Sequence, residues 1–244
     1  MQEWSVPGYR IVRDLRSHAP RDSAGAPGRS VLALHEASGL PVTLRFHEEP
    51  EPRLRSDARA LAGITSPHVA ALYEHVEVTL DGNVGAATVR QYVEGVSVRP
   101  LLTKLAHSSA LAILRAGLLA LDAAHARGVT HRGYKPENLL VDASGAVRLA
   151  DFAIAPPPPE APEPTGYRED DVRAAFAVFV ECVVGPRGGA QKLPRKLRGL
   201  GPVAVAGDGA ALLDAVSRAG HDAWGSQWLE RAQRELARLV SKVR

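Results

Sequence analysis

The order of patterns along the chain predicts an α+β protein in which strands come first and helices follow. Three observations carry this expectation. Short runs of alternating apolar and polar residues, separated by Gly- and Pro-rich turns, fill the first hundred positions. Beyond Gly95 the apolar residues recur instead at helical spacing. A polar stretch dense in motifs, THRGYKPENLLVDASGAVRLADFAIA at 130–155, stands where one regime gives way to the other.

YRIVRDL (9–15) and SVLALHE (30–36) alternate as half-buried strands and are joined by the loop RSHAPRDSAGAPG. ASGLP then turns the chain into VTLRF (42–46). A helix is expected after Pro52, with Leu54, Ala58, Leu61 and Ala62 on one face. LYEHVEV and GAATVRQYV form a hairpin pair around the DGN turn at 81–83. In the second half, SSALAILRAGLLALDAAHARG reads as a helix opening at the Ser pair and closing on Gly128. DDVRAAFAVFVECVVG reads as another, with an acidic start and Gly185 at its end. The last segment, AWGSQWLERAQRELARLV, puts Trp224, Trp228, Ala232, Leu236 and Val240 on one stripe, which suits core packing better than a ligand cage. The stretch 130–155 reads as polar loops, and PPPPEAPEP at 156–164 is the one low-complexity run.

Composition bounds the function. With 45% apolar and 23% charged residues over 244 positions, the chain is globular. Its single cysteine, Cys182, excludes an internal disulfide and suits a reducing compartment. The opening MQEWSVPGYRIVRDL lacks an apolar leader. The most apolar stretches, Leu111–Ala124 and Ala174–Gly185, are interrupted by charges and too short to span a bilayer. A chain of cytoplasmic type without a membrane segment is expected. The net charge of +3 is spread along the sequence. Its one dense cluster, Arg187, Lys192, Arg195, Lys196 and Arg198, has no interleaved aromatic residues for stacking, so a solvated basic loop is expected and nucleic acid is not.

The motif-dense stretch resembles a protein kinase, and the resemblance extends over most of the chain. HRGYKPEN is similar to the catalytic loop H-R-D-x-K-P-x-N, and Asp151-Phe152-Ala153 to the D-F-G metal loop. PVTLRF sits where strand three would carry V-A-I-K. SDARALAGITSPHVAALYEHV resembles the αC helix and fourth strand, QYVEG the hinge, and DDVRAAFAVFVECVVG the buried αF helix. The Arg-rich composition matches bacterial Ser/Thr kinases of GC-rich genomes. The resemblance implies one kinase-like domain over 1–244 with a two-lobed fold. A small β-rich N-lobe with one αC-type helix (1–90) would lead through a hinge (91–95) into a larger, mainly α-helical C-lobe (96–244). It also implies a column of Leu72, Leu61, Phe152 and His131 standing on Asp171.

Against that family the active-site positions are altered. Gly133 stands where the family has the Asp that orients the substrate hydroxyl and accepts its proton. Arg45 stands at the strand-three Lys position, and residues 1–103 contain no lysine, so no shift of register restores one. A planar guanidinium does not replace an ammonium at a fitted phosphate site. Asp57, one methylene shorter than Glu, stands at its αC partner position, where an Arg45–Asp57 ion pair is expected. The phosphate loop reads Ser23-Ala24-Gly25-Ala26-Pro27-Gly28, with Pro27 offering no N–H. The activation segment, 151–170, is short, and its Ala161-Pro162-Glu163 lies within the proline-rich run. Lys135, Asn138 and Asp151 are kept.

The resemblance thus implies ATP and Mg²⁺ as the ligands the fold would take. Gly25, Gly28, Arg45, Lys135, Asn138, Leu140 and Asp151 are the cofactor-facing positions, with Asn138 and Asp151 as magnesium ligands. Ser30, Thr43 and Arg90 replace the apolar walls expected around an adenine. A pseudokinase is expected, with an active Ser/Thr kinase or a phosphothreonine-binding protein as its partner, the latter reading a phosphorylated Thr165. The alternatives are a weakly active ATP/Mg-dependent Ser/Thr kinase and a non-hydrolysing nucleotide switch.

Overall fold

A computed structural model describes residues 4–15, 30–47, 61–80, 83–152 and 166–243. The chain divides into two compact units, one from residues up to Thr65 together with Ala70–Tyr92, the other from Ser66–Val69, Val93–Ala153 and Pro158–Arg244.

The first unit is a six-stranded antiparallel sheet. Its strands are β1 (Trp4–Ser5), β2 (Tyr9–Asp14), β3 (Ser30–His35), β4 (Pro41–His47), β5 (Leu72–Leu80) and β6 (Asn83–Gln91), in the order β1-β5-β6-β4-β3-β2. Because side chains alternate along a strand, the register separates two faces. Val31, Ala33, Val42, Leu44, Phe46, Ala87 and Val89 lie on one and are buried together with Val6 and Val78. Ser30, Leu32, Thr43, Arg45, Thr88 and Arg90 lie on the other, since Arg45 pairs with Ser30 and Thr88, and Thr43 with Leu32 and Arg90. Of the helix expected after Pro52, Leu54 and Ala58 lie outside the described residues. Leu61 and Ala62 are helical, but only Leu61 is buried, so Ala62 does not share its face.

The second unit holds the helices α1 (His107–His125), α2 (Tyr167–Val184), α3 (Leu200–Ala206), α4 (Gly209–Trp224) and α5 (Trp228–Val243). It also holds a small antiparallel sheet of β7 (Gly95–Ser97), β8 (Leu139–Asp142) and β9 (Val147–Leu149), in that order. α1 is its centre. It is buried on nearly every side and packs on α2, α4, α5 and β9, which explains why its sequence is apolar all round. None of the described helices is long and apolar enough to cross a membrane.

Four local readings are corrected. α1 opens at His107, one residue before the Ser pair, and ends at His125; Gly128 (φ +75°) lies beyond it in the following turn. The stretch 130–155 is not loop throughout, because LLVD and VRL pair as the β8–β9 hairpin around a turn in which Asp142 accepts the Ser144 and Ala146 amides. The final tryptophans do not share a helix. Gly225 (φ +78°) ends α4 at Trp224, and α5 begins at Trp228 with Ala232, Leu236 and Val240 buried beside it. α3 and α4 had no counterpart in the pattern reading. Asp208, whose carboxylate accepts the Ala211 amide at 2.9 Å, is the start signal for α4.

Candidate functional site

The loop that carries Gly133 hangs from α2. Asp171, 2% exposed, accepts the His131 amide at 2.7 Å, the Arg132 amide at 2.8 Å and the His125 imidazole Nε2–H at 2.9 Å. Those bonds hold Arg132 at φ +55°, a conformation that non-glycine residues rarely adopt. Among the described residues only Asp151, at φ +60°, shares it. His131 is fully buried. Its Nε2–H donates to the Ala150 carbonyl at 3.0 Å and its Nδ1 accepts the Gly133 amide at 3.2 Å, which makes it a neutral imidazole with its proton on Nε2. Burial is the main cause that pushes its pKa down to about 4, with the Lys135 and His125 charges adding. Its ring packs against Phe152 with centroids 4.7 Å apart and the planes tilted by 51°, and its amide rests on Asp171, as expected for this part of the column. Leu61 is buried and Leu72 half-buried within the first unit.

Gly133 itself is not required by the backbone. A Cβ placed there would meet nothing nearer than the His131 carbonyl oxygen at 3.9 Å. What the loop needs from residue 133 is its main chain. Asn138 donates Nδ2–H to the Gly133 carbonyl at 2.9 Å while its own carbonyl accepts the Ala150 amide at 2.8 Å, tying the loop to the residues before Asp151. Its Oδ1 is buried and has no hydrogen-bond partner among the described residues. An amide oxygen held in place and left unbonded beside a loop ending in Asp151 has the chemistry of a ligand for a hard cation such as Mg²⁺. No cluster of three or more His, Cys, Asp or Glu side chains able to hold a metal occurs among the described residues. A cation there would therefore rely on Asn138, Asp151, water and phosphate oxygens. Lys135 and Asp151 are half-buried, as is Leu140 in the middle of the small sheet.

Two features around this loop escaped the sequence reading. Tyr134 is 8% exposed, its hydroxyl has no hydrogen-bond partner among the described residues, and burial pushes its pKa up. It fits because residue 117 in α1 is glycine; a Cβ there would sit 1.8 Å from the Tyr134 hydroxyl oxygen. Glu137 and Glu181 share Arg99, each at 2.7 Å. Burial acts against it, but the Arg99 hydrogen bond and charge hold the Glu137 carboxyl below the usual range. Both arrangements join residues far apart in sequence, so no local spacing announces them.

In the first unit, Arg45 and Arg90 stand diagonally across the β4–β6 pair on the polar face. Burial first, and the Arg45 charge second, push the Arg90 guanidinium down to about 9, still protonated at neutral pH. Gly25, Gly28 and Asp57, like Ala161-Pro162-Glu163 and Thr165, lie outside the described residues. The basic cluster at 187–198 is exposed, with the Lys196 ammonium 4.0 Å above the Trp224 ring.

A strand-rich unit, a helical unit, and a His-Arg loop clamped by a buried aspartate ahead of an Asp-Phe pair define the class as a two-lobed, kinase-like α+β fold. The protein kinase domain family matches residues 29–165, more than half of the chain, and the chain belongs to that family. It is 40% identical over 106 residues to the serine/threonine-protein kinase PknD of Mycobacterium tuberculosis, covering 42% of this chain and 15% of that one. It is 30% identical over 160 residues to the probable serine/threonine-protein kinase pknA2 of Bifidobacterium longum, covering 60% and 20%. The chain thus spans a fifth or less of the length of these relatives. Among solved structures, the Neurospora crassa PAN3 pseudokinase superposes with a TM-score of 0.74 at 12% identity, over 98% of this chain and 66% of that one. At that identity the likeness speaks for the fold alone.

Proposed function

We propose that this chain is a catalytically impaired protein kinase-like protein, a pseudokinase, acting as a regulatory or scaffolding module that binds another protein. The observation that carries the reading is Gly133. The loop around it is fully tied down by Asp171, His131 and Asn138, yet the position from which a kinase orients and deprotonates the acceptor hydroxyl has no side chain. Loss of a positioned base costs about 10²–10⁴-fold in rate. Arg45 at the strand-three position and the charged Arg90 on the same sheet face weaken nucleotide binding further. The partner we favour is an active Ser/Thr kinase, or a phosphothreonine-binding protein reading Thr165.

A second reading, a weakly active Ser/Thr kinase using ATP and Mg²⁺, is favoured by the retained Lys135, Asn138 and Asp151 and by the unbonded Asn138 Oδ1. Asn138 and Asp151 would hold Mg²⁺ and Lys135 would position the nucleotide phosphates, the metal supplying charge neutralisation there.

Phosphate release from ATP and phosphorylation of a generic Ser/Thr substrate, each with magnesium, separate the readings. The pseudokinase reading expects the wild type to equal Asp151→Ala in both. Turnover that Asp151→Ala removes would overturn it in favour of the enzyme. Thermal shift with ATP, with magnesium or EDTA, separates a nucleotide switch from a pure scaffold. Saturation at 100 times the dissociation constant would add about 2.7 kcal/mol and raise the melting temperature by several degrees.

A further inference from the structure

Within the helical unit, on the side of α1 facing the β8–β9 turn and α5, lies a cavity of about 200 Å³. Its walls include His68, Arg115, Arg148 and the amide of Gln233 together with Ala112, Ala116 and Leu236, so two guanidinium groups, an imidazole and an amide share the cavity with an apolar floor. The cations are unequally matched. Arg148 pairs with Asp142 at 2.6 Å, and that carboxylate also accepts the Ser144 hydroxyl and the Ser144 and Ala146 amides. Arg115 makes no hydrogen bond or ion pair among the described residues, although it is only half-exposed. His68 donates Nδ1–H to the Val147 carbonyl at 3.4 Å, which leaves Nε2 as the acceptor nitrogen. Burial, and then the Arg115 and Arg148 charges, hold its pKa below the ordinary value. The wall is also connected: the His68 carbonyl accepts the Leu149 amide at 2.8 Å, in the strand that runs on into Asp151.

We propose that this cavity binds a small monocarboxylate with a flat apolar body, its carboxylate forked onto the Arg115 guanidinium. One unmatched guanidinium calls for one negative charge, and its planar fork fits a carboxylate at both oxygens. An apolar cavity of roughly 150 Å³ accepts a benzene ring, so the floor of Ala112, Ala116 and Leu236 has room for an aromatic or branched acyl body. A phosphate dianion would need a second uncommitted cation, and Asp142 already claims Arg148. This inference does not depend on whether the chain transfers phosphate.

The test uses the full chain and sodium benzoate as the probe, with the ring resonances of His68 followed by NMR and assigned through His68→Gln. Inorganic phosphate and sodium chloride at matched ionic strength are titrated in parallel. Benzoate is expected to move the His68 signals saturably and to raise its titration midpoint, because a carboxylate offsets the neighbouring cations. Arg115→Gln is expected to weaken binding by ~10-fold or more. Ala112→Leu, which fills the floor and leaves every charge in place, is expected to abolish it. A response that chloride reproduces, or one undiminished in both variants, overturns the site. Phosphate binding more tightly than benzoate overturns the carboxylate assignment. The wild-type titration decides on its own should either variant fail to fold.

Discussion

In the helical unit, the loop at 131–138 is held by a framework of hydrogen bonds and has no side chain at residue 133. In the strand-rich unit, the face that holds Thr43 and Arg45 is built on a main-chain ladder and presents Thr88 and Arg90 beside them. The difference teaches where a fold resists change. Asp171 serves two backbone amides and an imidazole, and losing it would leave all three unserved, the His131 amide in a buried position. The side chain of residue 133 serves nothing in the folded chain, so its absence is structurally free. Sheet-face residues are intermediate, because the ladder is made by the main chain and accepts almost any side chain that the space allows.

Four measurements would break or sharpen that contrast. The largest effect is expected for Asp171→Ala, which orphans one buried and two part-buried donors and should lower unfolding free energy by about 3–5 kcal/mol in urea denaturation. A loss under 1 kcal/mol would show that the clamp is dispensable. Next comes pH. The pKa of His131 falls from 6.5 to about 4 on folding, so the unfolded chain binds more protons between those values. Stability should therefore fall as pH drops from 6.5 to 4, with His131 contributing about 3 kcal/mol to the decline. His131→Tyr should flatten that slope; an unchanged slope would assign the acid sensitivity elsewhere.

Third, Gly117→Ala should cost about 1–3 kcal/mol through collision with Tyr134. Most of that should return in Gly117→Ala/Tyr134→Leu, and strict additivity of the two changes would deny the contact. The smallest effect belongs to Gly133→Asp, expected within about 0.5 kcal/mol of wild type because the site is open. The same variant, assayed with magnesium and ATP, tests the other region. Turnover appearing from this one change would mean the strand-rich unit is still competent, with Arg45 and Arg90 no obstacle.

Much of this was legible in the sequence, and the reason differs by element. The strands at 9–14, 30–35 and 41–47 follow from two-residue alternation, and α1 and α2 from long apolar runs with glycines beyond their ends. The loop residues were found by motif, since His131, Arg132, Lys135 and Asn138 sit in a fixed local order. What was illegible is contact between distant segments. Arg99 meets Glu181 and Tyr134 meets Gly117 with no signature in either neighbourhood. The cavity at Arg115 draws its lining from four stretches of chain. The tryptophan stripe misled because i, i+4 spacing continued across Gly225, a residue whose positive φ breaks the helix without breaking the apolar count.

That break has an optical consequence. The chain has three tryptophans, and they are divided between the units: Trp4 in β1, and Trp224 and Trp228 on either side of Gly225 with ring centroids 6.5 Å apart. Trp228 is enclosed by protein while Trp224 lies under the Lys196 ammonium, so the two rings sense different surroundings. Trp4→Phe therefore leaves an emission spectrum that belongs to the helical unit alone. Comparison with the parent chain separates the unfolding of one unit from the other without any added label.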